Sequence, residues 1–241
     1  MDFSVTAAQR KLRRTIIEFA QAELNDDVQS RDQAQDFPRD LWLKCGERRL
    51  QGLPVPEEFG GLALDPLSSA MALEAFGYGC HDSGLTFAVC AHLVASVMPV
   101  WKFGNQDQRK RYLPGMCDGT MIACNAITEP EAGSDVFAMS ARADRCEGGY
   151  VVSGTKRYIS NAPVADLLIV FALTDESKRF HGGVTAFLIE RDAAGLTVSP
   201  KFDKMGLRTV LMGEVVLQDV LVPDAAVLGE VGAGGKIFTH S

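Results

Sequence analysis

Residues 125–135 read NAITEPEAGSD, a short stretch holding Glu129, Glu131 and Asp135 beside Pro130, Gly133 and the hydroxyls of Thr128 and Ser134. Main-chain N–H groups around Gly133, with those two hydroxyls, form a nest of donors suited to a phosphate or a carbonyl-rich heterocycle. The same turn-forming residues between two well-patterned halves also describe a domain linker. On the residues alone the linker is the simpler reading.

No familiar short motif competes with it. GAGGKIFT (232–239) resembles a phosphate loop, but Glu230 stands where the first glycine belongs and Ile237 where a hydroxyl is required. A dinucleotide pattern starting at Gly232 and Gly234 ends on Ile237 instead of glycine. There is no G-x-S-x-G nucleophile elbow. His81, His92, His181 and His240 have no ligand spacing and read as structural or exposed. The six cysteines include no C-x-x-C pair, so a metal site is not expected. Scattered through apolar contexts, they read as buried thiols.

The elements that must position these residues change character near residue 122. Upstream, Val5, Ala8, Leu12, Ile16 and Phe19 recur at three- and four-residue steps, one face of a helix. Pro38 reads as a first-turn proline for a helix carrying Leu41, Trp42 and Cys45. GLPVPEEFGG (52–61) is a breaker-rich loop, and helices are predicted over 66–78, 83–102 and 106–117. Downstream, strand patterns cover 150–160, with Gly154 as a bulge, then 167–173, 183–190 and 213–222. CEGG, NAPVAD, SKRFHGG and RDAAG separate them as turns. Helices followed by strands predict an α+β multidomain chain, an N-terminal all-α helical domain (1–121) and then a β-barrel domain (122–232).

Bulk properties narrow the function classes. A chain of 241 residues can bury a sizeable core. Its net charge of −7 opposes a nucleic-acid partner, which needs a basic face. The N-terminus lacks the basic-then-apolar order of a signal peptide, so the cytoplasm is the default. Residues 83–101 carry no Asp, Glu, Lys or Arg, nearly the length of a membrane span. Ser83, Gly84, Thr86, His92, Ser96 and Pro99 make the stretch too polar for a lone lipid-facing helix. It reads as a helix surrounded by others, and no membrane span is expected.

TEPEAGSD (128–135), GTKRYISN (154–161), GVTAFLIE (183–190), KMGLR (204–208) and DVLVPDAAVLGEVGAG (219–234) together closely resemble the acyl-CoA dehydrogenase family. GLPVPEEFGG and KFGNQDQRKRYLPGMCDG (102–119) extend the resemblance through the helical half, in the family's order. It implies a helical domain, a middle β-barrel domain and a C-terminal helical bundle, of which 233–241 would be only the start. It also implies FAD, held by Asn125, Ile127, Thr128, Gly133, Ser134, Tyr158, Ile159 and Ser160, with Ser134 reaching the pyrophosphate or the substrate. Tyr158-Ile159-Ser160 replaces the family's usual Trp-Ile-Thr and keeps an aromatic edge and a hydroxyl donor.

The activity so implied is α,β-dehydrogenation of an acyl thioester carried on coenzyme A or an acyl-carrier protein. A carboxylate takes the α-proton and the β-hydrogen leaves as hydride to flavin N5. No residue of this chain matches the family's base, a Glu of the C-terminal bundle, and Glu129 sits in the FAD loop instead. The alternative is a catalytically incomplete binding or partner subunit, or a segment of such an enzyme. An electron-transfer flavoprotein or another acceptor, and a homo-oligomer of two or four copies when complete, are the expected partners.

Overall fold

The structure, a computed structural model, describes residues 4–179 and 181–240; Phe180 of the SKRFHGG turn and the terminal Ser241 lie outside them. The helices are α1 (Ala7–Glu23), α2 (Val28–Ala34), α3 (Arg39–Glu47), α4 (Pro66–Gly79), α5 (Ser83–His92), α6 (Met98–Phe103), α7 (Gln106–Asp118) and a short α8 (Gly234–Phe238). The strands are β1 (Ala123–Ala126), β2 (Arg142–Cys146), β3 (Gly149–Ser160), β4 (Leu167–Leu173), β5 (Val184–Glu190), β6 (Leu196–Val198), β7 (Met212–Pro223) and β8 (Val227–Leu228). Two compact units emerge. One comprises Met1–Cys90, Pro114–Thr120 and Asp203–Val210, the other Ala91–Leu113, Met121–Phe202 and Leu211–Ser241.

In the first unit, Thr6 and Gln9 form a capping box that starts α1. Val5 therefore precedes the helix and Ala8 is exposed, while Ile16, Phe19 and Ala20 are buried. The predicted apolar face is real only in the second half of α1. There it meets α4 so closely that a Cβ on Gly79 would lie 2.9 Å from the Ala20 Cβ. Pro38 precedes α3 and offers its carbonyl to the Trp42 N–H (2.9 Å). Trp42 is fully buried and donates its indole N–H to the Gly119 carbonyl (2.9 Å). The buried Asp82 carboxylate accepts from the Leu85 N–H, the Thr209 hydroxyl and the Arg31 guanidinium. One side chain thus caps α5 and ties down residues 203–210.

The helix expected over 83–102 runs from Ser83 to Phe103 but is broken by a π turn, Leu93–Val97. Pro99 explains the break. It has no N–H for the carbonyl four residues back, that of Ala95, and a π turn absorbs the mismatch. By length and composition this helix is long and apolar enough to cross a membrane, yet 56% of its apolar window is buried inside the protein, as in a core helix.

The second unit carries a sheet in the order β6-β7-β3-β2-β4-β5-β8, with β1 joined in parallel to β4. The expected β-barrel is corrected here: among the described residues β6 and β8 end the sheet without pairing, so it is open. The edges are the reason. β6 has 3 residues and β8 has 2, and β2 meets β4 only at Arg142 and Leu173. Such short edges cannot continue a ladder around to close it. β4, LLIVFAL, is buried at every position, which is why its apolar run is continuous instead of alternating. Tyr150 packs edge-on against Phe187, ring centroids 5.2 Å apart, within the core of this unit.

β3 is the strand that matters for the site, and it is irregular twice. Its register against β7 shifts between Val152 and Gly154, where the extra residue lies in β7 and not at Gly154 as expected, and again between Lys156 and Ile159, where the extra residue lies in β3 itself. At the first bulge a Cβ on Gly154 would lie 2.5 Å from the Ala141 Cβ, under any normal contact. Gly154→Ala is therefore expected to destabilise the fold by about 1–3 kcal/mol through overpacking. Thermal unfolding followed by circular dichroism checks this, and an unchanged Tm would contradict the close approach.

Candidate functional site

β1 delivers the 127–135 loop, and two buried polar contacts fix where it starts. The Ala123 N–H donates to His92 Nδ1 (3.0 Å), so this fully buried histidine serves as an anchor. Asn125 donates its side-chain amide to the Ala95 carbonyl (2.9 Å), to which Pro99, four residues on, has no N–H to offer. The Asn125 amide is thus committed to the protein. A carbonyl left short of a donor costs up to about 1–3 kcal/mol when buried, and this partly buried contact offsets that penalty.

Beyond β1 the loop lies along the bulge of β3. Arg157 N donates to the Thr128 carbonyl (2.8 Å), and Lys156 Nζ donates to the Ile127 carbonyl (3.2 Å). Lys156 also meets Glu129 Oε1 at 2.7 Å, with both side chains buried. Glu129 in turn accepts from the Ser140 N–H (2.6 Å), the Ser140 hydroxyl (2.7 Å) and the Ala141 N–H (3.0 Å). Burial pushes the Glu129 carboxyl upward. The Lys156 charge, its hydrogen bond and the Ser140 donors outweigh that and hold the group below its ordinary value. Burial is also the largest influence on Lys156, lowering its ammonium against the pull of Glu129.

The remaining predicted contacts differ in exposure. Ile127 and Ile159 are buried, at 7% and 2% exposure, so their side chains belong to the protein interior. Thr128 and Ser160 are half-buried, and Gly133 and Ser134 are exposed. Tyr158 is 57% exposed and sits in the left-handed region, φ 60°, a conformation that disfavours most L-residues. Phe202 meets its ring edge-on at 5.7 Å, and the Arg157 guanidinium lies over both rings, at 5.3 and 5.9 Å. The aromatic edge is clamped in place.

The donor set fits the cofactor that the sequence implies. Among the described residues the hydroxyls of Thr128, Ser134 and Ser160 have no hydrogen-bond partner within the chain. Space is open at Gly133, where an added Cβ would meet nothing within 4 Å. Uncommitted hydroxyls, an exposed glycine turn and an exposed aromatic edge are the group types that a flavin ring with a pyrophosphate tail requires. Thr128, Gly133, Ser134, Tyr158 and Ser160 would hold it through side chains or main-chain N–H groups.

Sequence reasoning passed over Lys156 and Arg157 as anchors, and Phe202 as a clamp. A signal for Lys156 exists. Val152 faces inward, and at a period of two so does position 156, where a lysine requires a buried carboxylate.

Residues 6–120 match the acyl-CoA dehydrogenase N-terminal domain and residues 124–220 the acyl-CoA dehydrogenase middle domain. L-prolyl-[peptidyl-carrier protein] dehydrogenase from Serratia sp. is 40% identical over 241 residues, all of this chain and 62% of that protein. Among solved structures, the prolyl acyl carrier protein oxidase AnaB superposes with a TM-score of 0.96 at 42% identity, over 98% of this chain and 62% of its own. PigA, solved with FAD and proline, has a TM-score of 0.96 at 40% identity, over 100% of this chain and 62% of its own. The chain thus spans about 62% of the length of these relatives.

Two outcomes follow from the anchors. Asn125→Ala takes this donor from the Ala95 carbonyl and is expected to destabilise the cofactor-free protein by about 1–3 kcal/mol; an unchanged urea midpoint would assign Asn125 no structural part. Glu129, with its folded value lowered, contributes stability that is present above the ordinary value near 4.5 and is lost as pH falls through the lower folded value. Urea midpoints from pH 7 to pH 3 should therefore fall less steeply in Glu129→Gln than in the unaltered protein.

Proposed function

The chain belongs to the acyl-CoA dehydrogenase family, and from that premise we propose that it forms the flavin-holding part of an FAD-dependent dehydrogenase of acyl thioesters. One observation carries this reading. The TEPEAGSD loop and the TKRYIS strand are joined at two main-chain carbonyls, and among the described residues the hydroxyls of Thr128, Ser134 and Ser160 are left uncommitted. The helical domain is taken as 1–121 and the β domain as 122–232.

The relatives favour a substrate tethered to a carrier protein, with an L-prolyl thioester the first to try and acyl-CoA esters next. FAD, when bound, supplies the hydride acceptor. The chain's own residues bind and orient: Thr128, Ser134 and Ser160 offer donors, and Tyr158 presents a clamped aromatic edge. Glu129 is saturated by Lys156, Ser140 and Ala141, so it is not free to take the α-proton, and the base is another carboxylate. An electron-transfer flavoprotein or similar acceptor, assembly into two or four copies, and a cytoplasmic setting complete the proposal.

A second reading, a partner subunit without catalysis of its own, gains support from the commitment of the Glu129 carboxylate to Lys156, Ser140 and Ala141. Anaerobic mixing with L-prolyl carrier protein and a panel of acyl-CoA esters, followed at the flavin band, separates the two. The native gene product is expected to bleach with at least one substrate, and the 241 residues alone, supplied with FAD, with none. Losing a positioned base lowers rates about 10²–10⁴-fold, below detection on this time scale. Bleaching by the 241 residues alone would overturn the assignment of the base outside Glu129, and no bleaching by the native product would favour the partner subunit.

A further inference from the structure

Lys156 is fully buried in β3, a position that an apolar residue would fill at lower desolvation cost. Replacing a buried ion pair by well-packed apolar side chains is often neutral or stabilising. Stability alone does not account for Lys156 and Glu129. Their hydrogen bonds do something a methionine pair could not: they orient one peptide group.

Lys156 Nζ holds the Ile127 carbonyl at 3.2 Å. In a planar trans peptide the N–H points opposite to the C=O, so the Thr128 N–H is aimed away from Lys156. The next peptide is fixed as well. Its carbonyl, that of Thr128, takes the Arg157 N–H, and its N–H, that of Glu129, goes to the Ala132 carbonyl (3.0 Å). Among the described residues the Thr128 N–H is the donor in this pair of peptides that has no partner in the chain. Glu129 carries the tether across to Ser140 and Ala141, so the segment bearing Gly133 and Ser134 is anchored at both ends.

We propose, resting on the cofactor reading above, that Lys156 is a positioning residue for the flavin. Through Glu129 and the Ile127 carbonyl it presents the Thr128 N–H and hydroxyl as a preset donor pair for the carbonyl-rich ring. It touches no reacting atom. Its effect is pre-organisation: the donors are already aimed when the ligand arrives, and no ordering is needed on binding.

The test removes the tether without leaving a lone charge. In the native gene product, the double variant Lys156→Met with Glu129→Met leaves the Ser140 and Ala141 N–H groups without their acceptor, so its melting temperature falls, and below that temperature the folded protein is expected to bind FAD about tenfold more weakly, the equivalent of one oriented hydrogen bond. Bound-flavin absorption and fluorescence should move toward those of free FAD. If the double variant does not fold, Glu129→Gln replaces it, keeping the shape and an acceptor for Lys156, with a smaller loss of affinity and the same spectral drift. An unchanged FAD affinity and spectrum in whichever variant folds overturns the proposal. Failure of the unaltered protein to bind FAD overturns the cofactor reading itself, and this proposal with it.

Discussion

A lysine and a glutamate, both shut away from solvent, meet at 2.7 Å where the loop after β1 crosses the bulge of β3, and the geometry of the site depends on that contact. Neither charge is tolerable there alone, because stripping water from an ion costs several kcal/mol. Each is therefore confined to one position by the other. The remaining hydrogen-bonding capacity is directed at main-chain groups: Ile127 on one side, Ser140 and Ala141 on the other. A loop of turn-forming residues would otherwise sample many conformations. Here its two ends are fixed by side chains that cannot leave.

The bulge of β3 serves the same end. A regular strand would spend all its N–H groups on its neighbours. At the second register shift Arg157 directs its N–H to Thr128 instead of to β7, and Tyr158 turns into the left-handed region, where its ring projects outward under Phe202 and Arg157. Irregularity in this strand is what frees backbone and side chains to face a ligand.

Much of this was legible in the sequence, and the failures have physical causes. The unbroken LLIVFAL announced a strand buried on both faces, and YVVSGTKRYIS announced its length; the bulge expected at Gly154 falls in the facing strand β7 instead. Closure of the sheet was not legible, because the two- and three-residue edge strands carry too little pattern to count. The π turn was missed although Pro99 was noticed; the proline has no N–H for the Ala95 carbonyl, and Asn125, in another element, supplies a donor. Val5 and Ala8 matched a helical period, but Thr6 sets the helix boundary after Val5 and Ala8 is left exposed. In the site, the resemblance to a family named the strings, yet it could not tell which of their residues are turned inward, as Ile127, Ile159 and the Asn125 amide are. That distinction depends on contacts between residues far apart in sequence.

The pairing of Pro99 with Asn125 also constrains how such a chain can change over generations. A proline in the helix leaves one acceptor wanting, and an asparagine on a separate strand supplies the donor. While the proline stays, a lineage that gives up the asparagine carries an acceptor short of its donor. Once the proline reverts to a residue with an N–H, the asparagine is released from that duty and its position opens to other side chains. The two sites are thus historically ordered, with the helix position having to move first.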